Sequence, residues 1–437
     1  MPEPMDVHID SMSHEGRGIA HIDGKTVFVF AALEGEKVKI QIQQTSKTFD
    51  QANTVEVLEA SPKRCQPKCE AFQLCGGCSL QHLGNDDQVE FKQQSLLEMM
   101  EHAGVKVSEV MPALRSQHWG YRKKARLGVK FVRKKGRVLV GFRERNAPFL
   151  ADMSRCEVLL PEVGYKLDLL AELVNSMDAK EQIPQIEVAA DDEHVILVFR
   201  ILKPITDEDR KRLQDFAIAH HFWVQLQPGG PETVVNLYPE EPQLFLKPVK
   251  ESAIKIAFNA LDFIQVNSDI NQQMVAQAME NLDLQENDQV LDLFCGLGNF
   301  TLPMATEVAH VTAVEGDAAM VQRAKQSALD NQIENSSYHQ ADLFEPDVKD
   351  TWMKQRYDKI LLDPPRSGAQ EIVQQIDRFK ASRIVYVSCQ PSSLVRDSII
   401  ICQQGYRLIK LGVMDMFPQT AHIESMAVFE TIKPRSR

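Results

Sequence analysis

Residues 289–301, QVLDLFCGLGNFT, decide the fold. QVLDLF is an apolar run interrupted by Asp292, followed at once by Gly296 and Gly298. Such a run predicts a strand covered on both faces of a parallel sheet. The two glycines predict a tight turn that lets backbone approach a ligand and aims a helix N-terminus, starting near Asn299, at it. A dinucleotide fingerprint wants a third glycine at position 301, and the residue there is Thr301. A pyrophosphate site is therefore the weaker reading, and a nicotinamide-nucleotide domain is the alternative.

Working outward, HVTAVEGDAAMVQRAKQSALDN, SYHQADLFE, DKILLDPPRSG and RIVYVSCQPSSLVRDSII repeat the strand–loop–helix unit. Together they predict a doubly wound α/β sheet. The last stretch, YRLIKLGVMDMFPQTAHIESMAVFETI, predicts two strands around a long loop, giving the sheet an antiparallel edge. Ligands of such sheets bind beyond the C-terminal strand ends. Glu315 ends the second strand, placed to accept from ribose hydroxyls. Asp342 follows the third and could reach an adenine amine. Glycine loop plus two strand-end acids points to an adenosine-type cofactor. In LLDPPRSG, Asp363 stands at a strand end on a rigid Pro-Pro shelf. Methyltransferases of exocyclic base amines place an aromatic after the prolines, whereas this chain has Arg366. Cys389 ends the next strand just before a helix, whose dipole is expected to lower the thiol pKa and make it a nucleophile. His422 and Glu424 are candidate general bases, and Glu424 is preferred because an acid on the apolar strand AHIESMAVF needs a reason.

The N-terminal half reads differently. HIDSM, GIAHI, TVFVF, KVKIQI and ANTVEVLEA predict five short strands of a small OB-like barrel. Cys69, Cys75 and Cys78 have metal-ligand spacing, with Cys156 as a distant fourth and Cys65 as a further candidate. Four thiolates suit zinc or an iron–sulfur cluster. The chain has 437 residues and net charge −12, yet residues 111–150 hold 12 Lys and Arg against one acid. That block is a footprint for a polyanion. No run is long and apolar enough to span a membrane, and MPEPMDVHID lacks a signal-peptide pattern. A cytoplasmic monomer with no membrane partner is expected.

Taken together, DLFCGLGNF, DPPRSG, VSCQPSSL and FPQTAHIE, in that order, resemble the motifs of the RNA uracil-C5 methyltransferases. The resemblance spans essentially the whole chain and is strongest to bacterial members acting on large-subunit (23S) ribosomal RNA. It implies a TRAM-like barrel over 1–61, a central α+β domain with an iron–sulfur site over 62–250, and a Rossmann-like methyltransferase domain over 251–437. It implies that Cys389 is the nucleophile and Glu424 the base. Gln265, Phe294, Asn299, Glu315, Asp342 and Asp363 would line the S-adenosylmethionine site. Cys69, Cys75, Cys78 and Cys156 would hold a [4Fe–4S] cluster. The implied reaction adds the thiolate to uracil C6, so that C5 becomes nucleophilic enough to take a methyl group. The target base must leave its stack, which implies a single-stranded or looped site. An exocyclic-amine methyltransferase and a non-catalytic RNA-binding assembly factor are the competing readings.

Overall fold

A computed structural model describes residues 3–432. The chain forms two compact units, each discontinuous in sequence. The first takes the residues up to Lys92, then Gln117–Pro242 and Phe417–His422. The second takes Gln93–Ser116, Gln243–Met416 and the residues from Ile423 onward.

The first unit opens with a six-stranded sheet in the order Met5–His8, Lys37–Thr45, Phe49–Glu59, Lys25–Phe30, Gly18–Ile22, Ser11–Met12. Alternation along these strands sends Ala20, Val27, Val29, Val38, Ile40 and Ala52 into one core. Asp23 (φ +50°) and Gly24 (φ +78°) form the two-residue hairpin between Gly18–Ile22 and Lys25–Phe30. Positive φ at both positions is what that tight turn demands. The cysteine loop follows. Glu36, fully buried, bolts it to the sheet by accepting from Arg64 Nη2 (2.6 Å) and from the Ser61 and Leu33 N–H groups. Burial works to raise the Glu36 pKa, but the Arg64 hydrogen bond and the backbone donors hold it below the usual range.

A second six-stranded sheet runs Val235–Tyr238, Phe222–Gln227, Val195–Arg200, Gln185–Ala190, Lys124–Val132, Arg137–Gly141. Helices Leu167–Ser176 and Asp207–His220 pack on it. The second helix is capped by Thr206, which accepts from Asp209 N, and carries Asp207, Glu208 and Asp209 in its first turn. Those charges complement the helix dipole.

The main sheet of the second unit has eight strands, ordered Ser336–Gln340, His310–Glu315, Gln289–Leu293, Lys359–Leu362, Arg383–Ser388, Glu424–Thr431, Tyr406–Met414, Glu109–Val110. Only Glu424–Thr431 runs against the others. The expected antiparallel edge is thus corrected: the reversed strand lies inside the sheet. Its first six residues are buried, and two neighbours satisfy its backbone. The two-residue strand Glu109–Val110 takes the edge instead, so segment 93–116 belongs to this unit. Helices Ser268–Leu282, Ala318–Asp330 and Pro391–Gln403 accompany the sheet. Asn267 caps the first through Ile270 N, and Asp317 caps the second through Ala319 N and Met320 N.

Candidate active site

Strand order reverses beside Gln289–Leu293, which pairs with His310–Glu315 on one side and Lys359–Leu362 on the other. That is the switch point where a doubly wound sheet binds ligands. Phe294, Glu315, Asp342, Asp363 and Cys389 all lie just at or beyond C-terminal strand ends. Glu424 reaches the same edge because its strand is reversed. Its neighbour Ser425 pairs with Ser388, so the base candidate starts where the strand carrying Cys389 stops.

The glycine loop is tightly specified. Phe294 adopts φ +64°, Gly296 φ +54° and Gly298 φ +92°. A non-glycine residue in the left-handed region marks local strain, a common feature of ligand loops. A Cβ on Gly296 would meet nothing within 4 Å, so the glycine is required by its φ rather than by space. The expected helix at Asn299 begins later, at Thr301, and is only five residues long. Thr301 Oγ1 donates to Asp292 Oδ2 (2.5 Å), while the buried Asp292 Oδ1 has no hydrogen-bond partner. Glu315 is shaped by backbone donors, accepting from Gly296 N (3.1 Å) and Asp317 N (3.0 Å).

Burial raises the pKa of Asp292 to about 7, helped by the charges of Asp363 and Glu315 against the Thr301 hydrogen bond. Burial likewise raises Asp363 to about 7. Asp292 and Asp363 lie close enough for the charge of one to raise the pKa of the other, and neighbouring acids without an ion pair favour a cationic guest such as a sulfonium or an ammonium. The donor set therefore fits S-adenosylmethionine. Asn299 forms a reciprocal amide pair with Asn271 (2.9 and 3.0 Å). Gln265 lies half-buried two residues before the Asn267 cap. Asp342 is exposed and accepts from Phe344 N (2.8 Å).

Cys389 is half-buried. The expected depression of its pKa is corrected: burial, and then the charges of Glu424 and Asp363, push the thiol up to about 12, with Arg366 alone among its charged neighbours opposing. Glu424 is 6% exposed, so its acid is not a solvent-facing strand position. His422 is exposed, and its ring lies 5.6 Å from that of Phe417.

Three further residues shape this edge. Asp397 accepts from Ala369 N (2.7 Å), Tyr386 Oη (2.6 Å) and Arg396, while Ser393 Oγ donates to Arg366 O (2.6 Å), so the Cys389 helix clamps the DPPRSG loop. The signal for Asp397 is an acid in the apolar stretch LVRDSIII. Phe344, 40% exposed, places its ring 5.9 Å from Phe294, and its only signal is an aromatic in the polar segment ADLFEPD. Asn271 carries no sequence signal.

In the first unit, Cys69, Cys75, Cys78 and Cys156 lie within electrostatic range of one another. Burial, then neighbouring thiols against a Gln81 hydrogen bond, pushes Cys78 to about 12, and burial raises Cys156 to about 11. Gly77 N donates to Cys75 Sγ (3.4 Å). Among the described residues, no three His, Cys, Asp or Glu side chains close to the spacing of a single-ion site. Cys65 is exposed and donates to Gln81 O. The basic block is less free than its composition implies. Lys123, Arg126, Arg133, Lys135 and Arg137 are paired with Asp192, Glu187, Glu181 and Asp152. Exposed pairs of this kind contribute only about 0–1 kcal/mol and yield to a stronger polyanion.

Known proteins resemble this chain over nearly its whole length. Residues 84–432 match the tRNA (Uracil-5-)-methyltransferase family, and residues 3–52 match the TRAM domain. The chain is 47% identical over 436 residues to the 23S rRNA (uracil(1939)-C(5))-methyltransferase RlmD of Francisella tularensis subsp. holarctica, covering 98% of this chain and 97% of that protein. It is 48% identical over 430 residues to the protein of that name from Methylococcus capsulatus, with the same coverage. Among solved structures, the Pyrococcus abyssi tRNA (uracil-54, C5)-methyltransferase in complex with S-adenosyl-L-homocysteine has a TM-score of 0.73 at 20% identity, covering 97% of this chain and 100% of that one. At that identity the likeness establishes the fold. Among the described residues, no helix is long and apolar enough to cross a membrane.

Proposed function

The chain belongs to the tRNA and rRNA uracil-5-methyltransferase family, and from that premise we propose that it methylates C5 of a uracil in 23S ribosomal RNA, using S-adenosylmethionine and a covalent Cys389 adduct. The observation that carries the reading is the gathering of Cys389, Glu424 and Asp363 at one sheet edge, close enough for both carboxylates to raise the thiol pKa. The uracil equivalent to the position 1939 in the relatives' names is the target we infer.

When bound, S-adenosylmethionine supplies an electrophilic methyl group on a sulfonium. The acids of the glycine loop and Asp363 orient that cation, while Glu315 retains lone pairs for ribose hydroxyls and Phe294 and Phe344 flank the loop. Cys389 is a thiol near neutral pH, so its proton passes to Asp363 as sulfur bonds to uracil C6, which leaves Glu424 ionised for the later step. The C5–C6 π electrons move toward O4, and C5 then takes the methyl group as the methyl–sulfur bond breaks. Glu424 removes the C5 proton. Those electrons re-form the C5–C6 double bond and expel the Cys389 thiolate. Splitting the reaction this way converts a poor carbon nucleophile into an enolate. In the first unit, Cys69, Cys75, Cys78 and Cys156 would hold a [4Fe–4S] cluster, and the TRAM domain and the basic block would grip the RNA backbone.

The test is tritium release from [5-³H]uridine-labelled 23S RNA by anaerobically purified protein, with and without S-adenosylmethionine. Release that depends on the cofactor is expected. Methyl incorporation without release would overturn the C5 assignment in favour of an exocyclic amine.

A further inference from the structure

Arg145 lies at the end of the basic block and is half-buried. Its Nη2 donates to the carbonyls of Cys78 (2.7 Å), Cys75 (2.9 Å) and Phe72 (3.3 Å). Its guanidinium lies 3.5 Å from the centroid of the Phe30 ring and 6.0 Å from that of Phe72. Its backbone N–H donates to Leu74 O (2.9 Å), and Gly76 N donates to Arg143 O (2.9 Å). A Cβ on Gly76 would come within 3.3 Å of Arg145 Cα, so the cysteine loop is pressed against this strand end. The buried Nε has no hydrogen-bond partner, and the guanidinium makes no ion pair with a carboxylate among the described residues. The charged neighbour that adds to it is Arg17, of the same sign.

A half-buried cation with no carboxylate partner is stabilised by a counter-charge nearby. The residues whose carbonyls it holds, Cys75 and Cys78, also bring their sulfurs within its electrostatic range, and a cysteine that ligates a metal is a thiolate. We propose that Arg145 is the counter-charge and clamp of a cluster held by Cys69, Cys75, Cys78 and Cys156: its guanidinium, seated on Phe30, fixes three carbonyls of the cysteine loop and balances the thiolate charge. This inference rests on the cluster reading above. Arg145 touches no thiol directly. It acts as a positioning residue, through the carbonyls that set the loop and through its field. Outer partners of this kind are worth about 10–100-fold in metal affinity. The arrangement also ties the TRAM domain, through Phe30, to the cysteine loop.

The experiment uses the full chain purified anaerobically as wild type, Arg145→Met and Arg145→Lys. Iron and acid-labile sulfide are assayed, release of iron to a chelator is timed by the loss of visible absorption, and the reduction potential is read by dithionite titration. Arg145→Met is expected to release iron at least about tenfold faster. Its potential is expected to fall, because reduction adds negative charge and the compensating cation is gone. A tenfold change in that one-electron equilibrium is about 59 mV. Arg145→Lys keeps the charge but not the fork, so its potential stays near wild type while its iron release quickens. Should Arg145→Met fail to fold, the release rate of Arg145→Lys decides. Unchanged release and potential in the variants, with iron present in the wild type, would overturn the role of Arg145 and leave the cluster reading standing. Absence of iron and sulfide from the wild type would remove the cluster reading and this inference with it.

Discussion

The sheet-edge crevice and the cysteine loop draw charge of opposite sign out of water. In the crevice, Asp292 and Asp363 have their pKa values raised to about 7 by burial. In the loop, burial lowers the Arg145 pKa to about 10. The crevice has acids in excess of cations, and the loop has a cation without an acid. An unbalanced buried charge is costly unless a partner of opposite sign arrives. On the proposed reading, the crevice takes a sulfonium and the loop takes a set of thiolates bound to metal. The difference teaches that the sign of a site's uncompensated charge describes its guest before any guest is seen.

The sharpest way to break this comparison is to exchange the consequences of two cysteine substitutions. Cys389→Ala should cut tritium release by at least about 10⁴-fold, the order expected when a nucleophile is removed, and leave iron content at the wild-type value. Cys78→Ala should do the reverse for iron, emptying the loop while S-adenosylmethionine binding survives. Iron loss in Cys389→Ala would mean the two sites are not independent. Glu424→Gln comes next, with an expected loss of about 10²–10⁴-fold for a general base. Proton removal follows bond formation to C6, so this variant should accumulate a protein–RNA adduct that persists in denaturing gels. A Cys389→Ala/Glu424→Gln double variant that still showed the adduct would sink the assignment of Cys389.

Smaller effects test the supporting structure. Asp397→Asn removes the carboxylate that holds Ala369, Tyr386 and Arg396. It should lower stability by roughly 1–3 kcal/mol, the cost of leaving buried partners unsatisfied, measured as a shift in urea midpoint. The mildest effect is on pH. A carboxyl raised to about 7 is charged only above that pH, and a cationic ligand prefers the charged form. Affinity for S-adenosylmethionine, measured by calorimetry, should rise up to about tenfold per pH unit below 7 and level off above it. Asp363→Asn should flatten that rise. In the ligand-free protein the sign inverts: a folded-state pKa above the unfolded one makes stability fall as pH rises from about 4 to about 7.

Much of the second unit is legible because parallel strands buried on both faces are apolar runs, as in Lys359–Leu362, where all four residues are buried. Strand ends then locate Glu315, Asp363 and Cys389. The position of Glu424 is less visible, since it depends on the reversed strand lying inside the sheet. Two residues, Glu109 and Val110, carry no pattern that predicts pairing with Lys410 and Leu411. The raised pKa of Cys389 cannot be read from its own helix, because it comes first from burial and then from acids on other segments. The cysteine spacing is plain in the sequence, but Arg145 is hidden among eleven other cations of the same block.

The loop Phe417–His422 has a consequence for how the chain matures. Gln88 Nε2 donates to Leu80 O, Leu83 O and Gln419 Oε1, and Gln419 N donates back to Gln88 Oε1 (2.9 Å). Gln419 O also accepts from Ser79 N and Leu80 N, beside Cys78. Gln88 and Gln419 are 331 residues apart in the chain. At about 5–20 residues per second of synthesis, the N-terminal unit waits roughly 15–70 s for its last hydrogen-bonding partner. Until then the Ser79 and Leu80 N–H groups are left to water, so a chain stalled before Gln419 lacks the carbonyl that closes its own first unit.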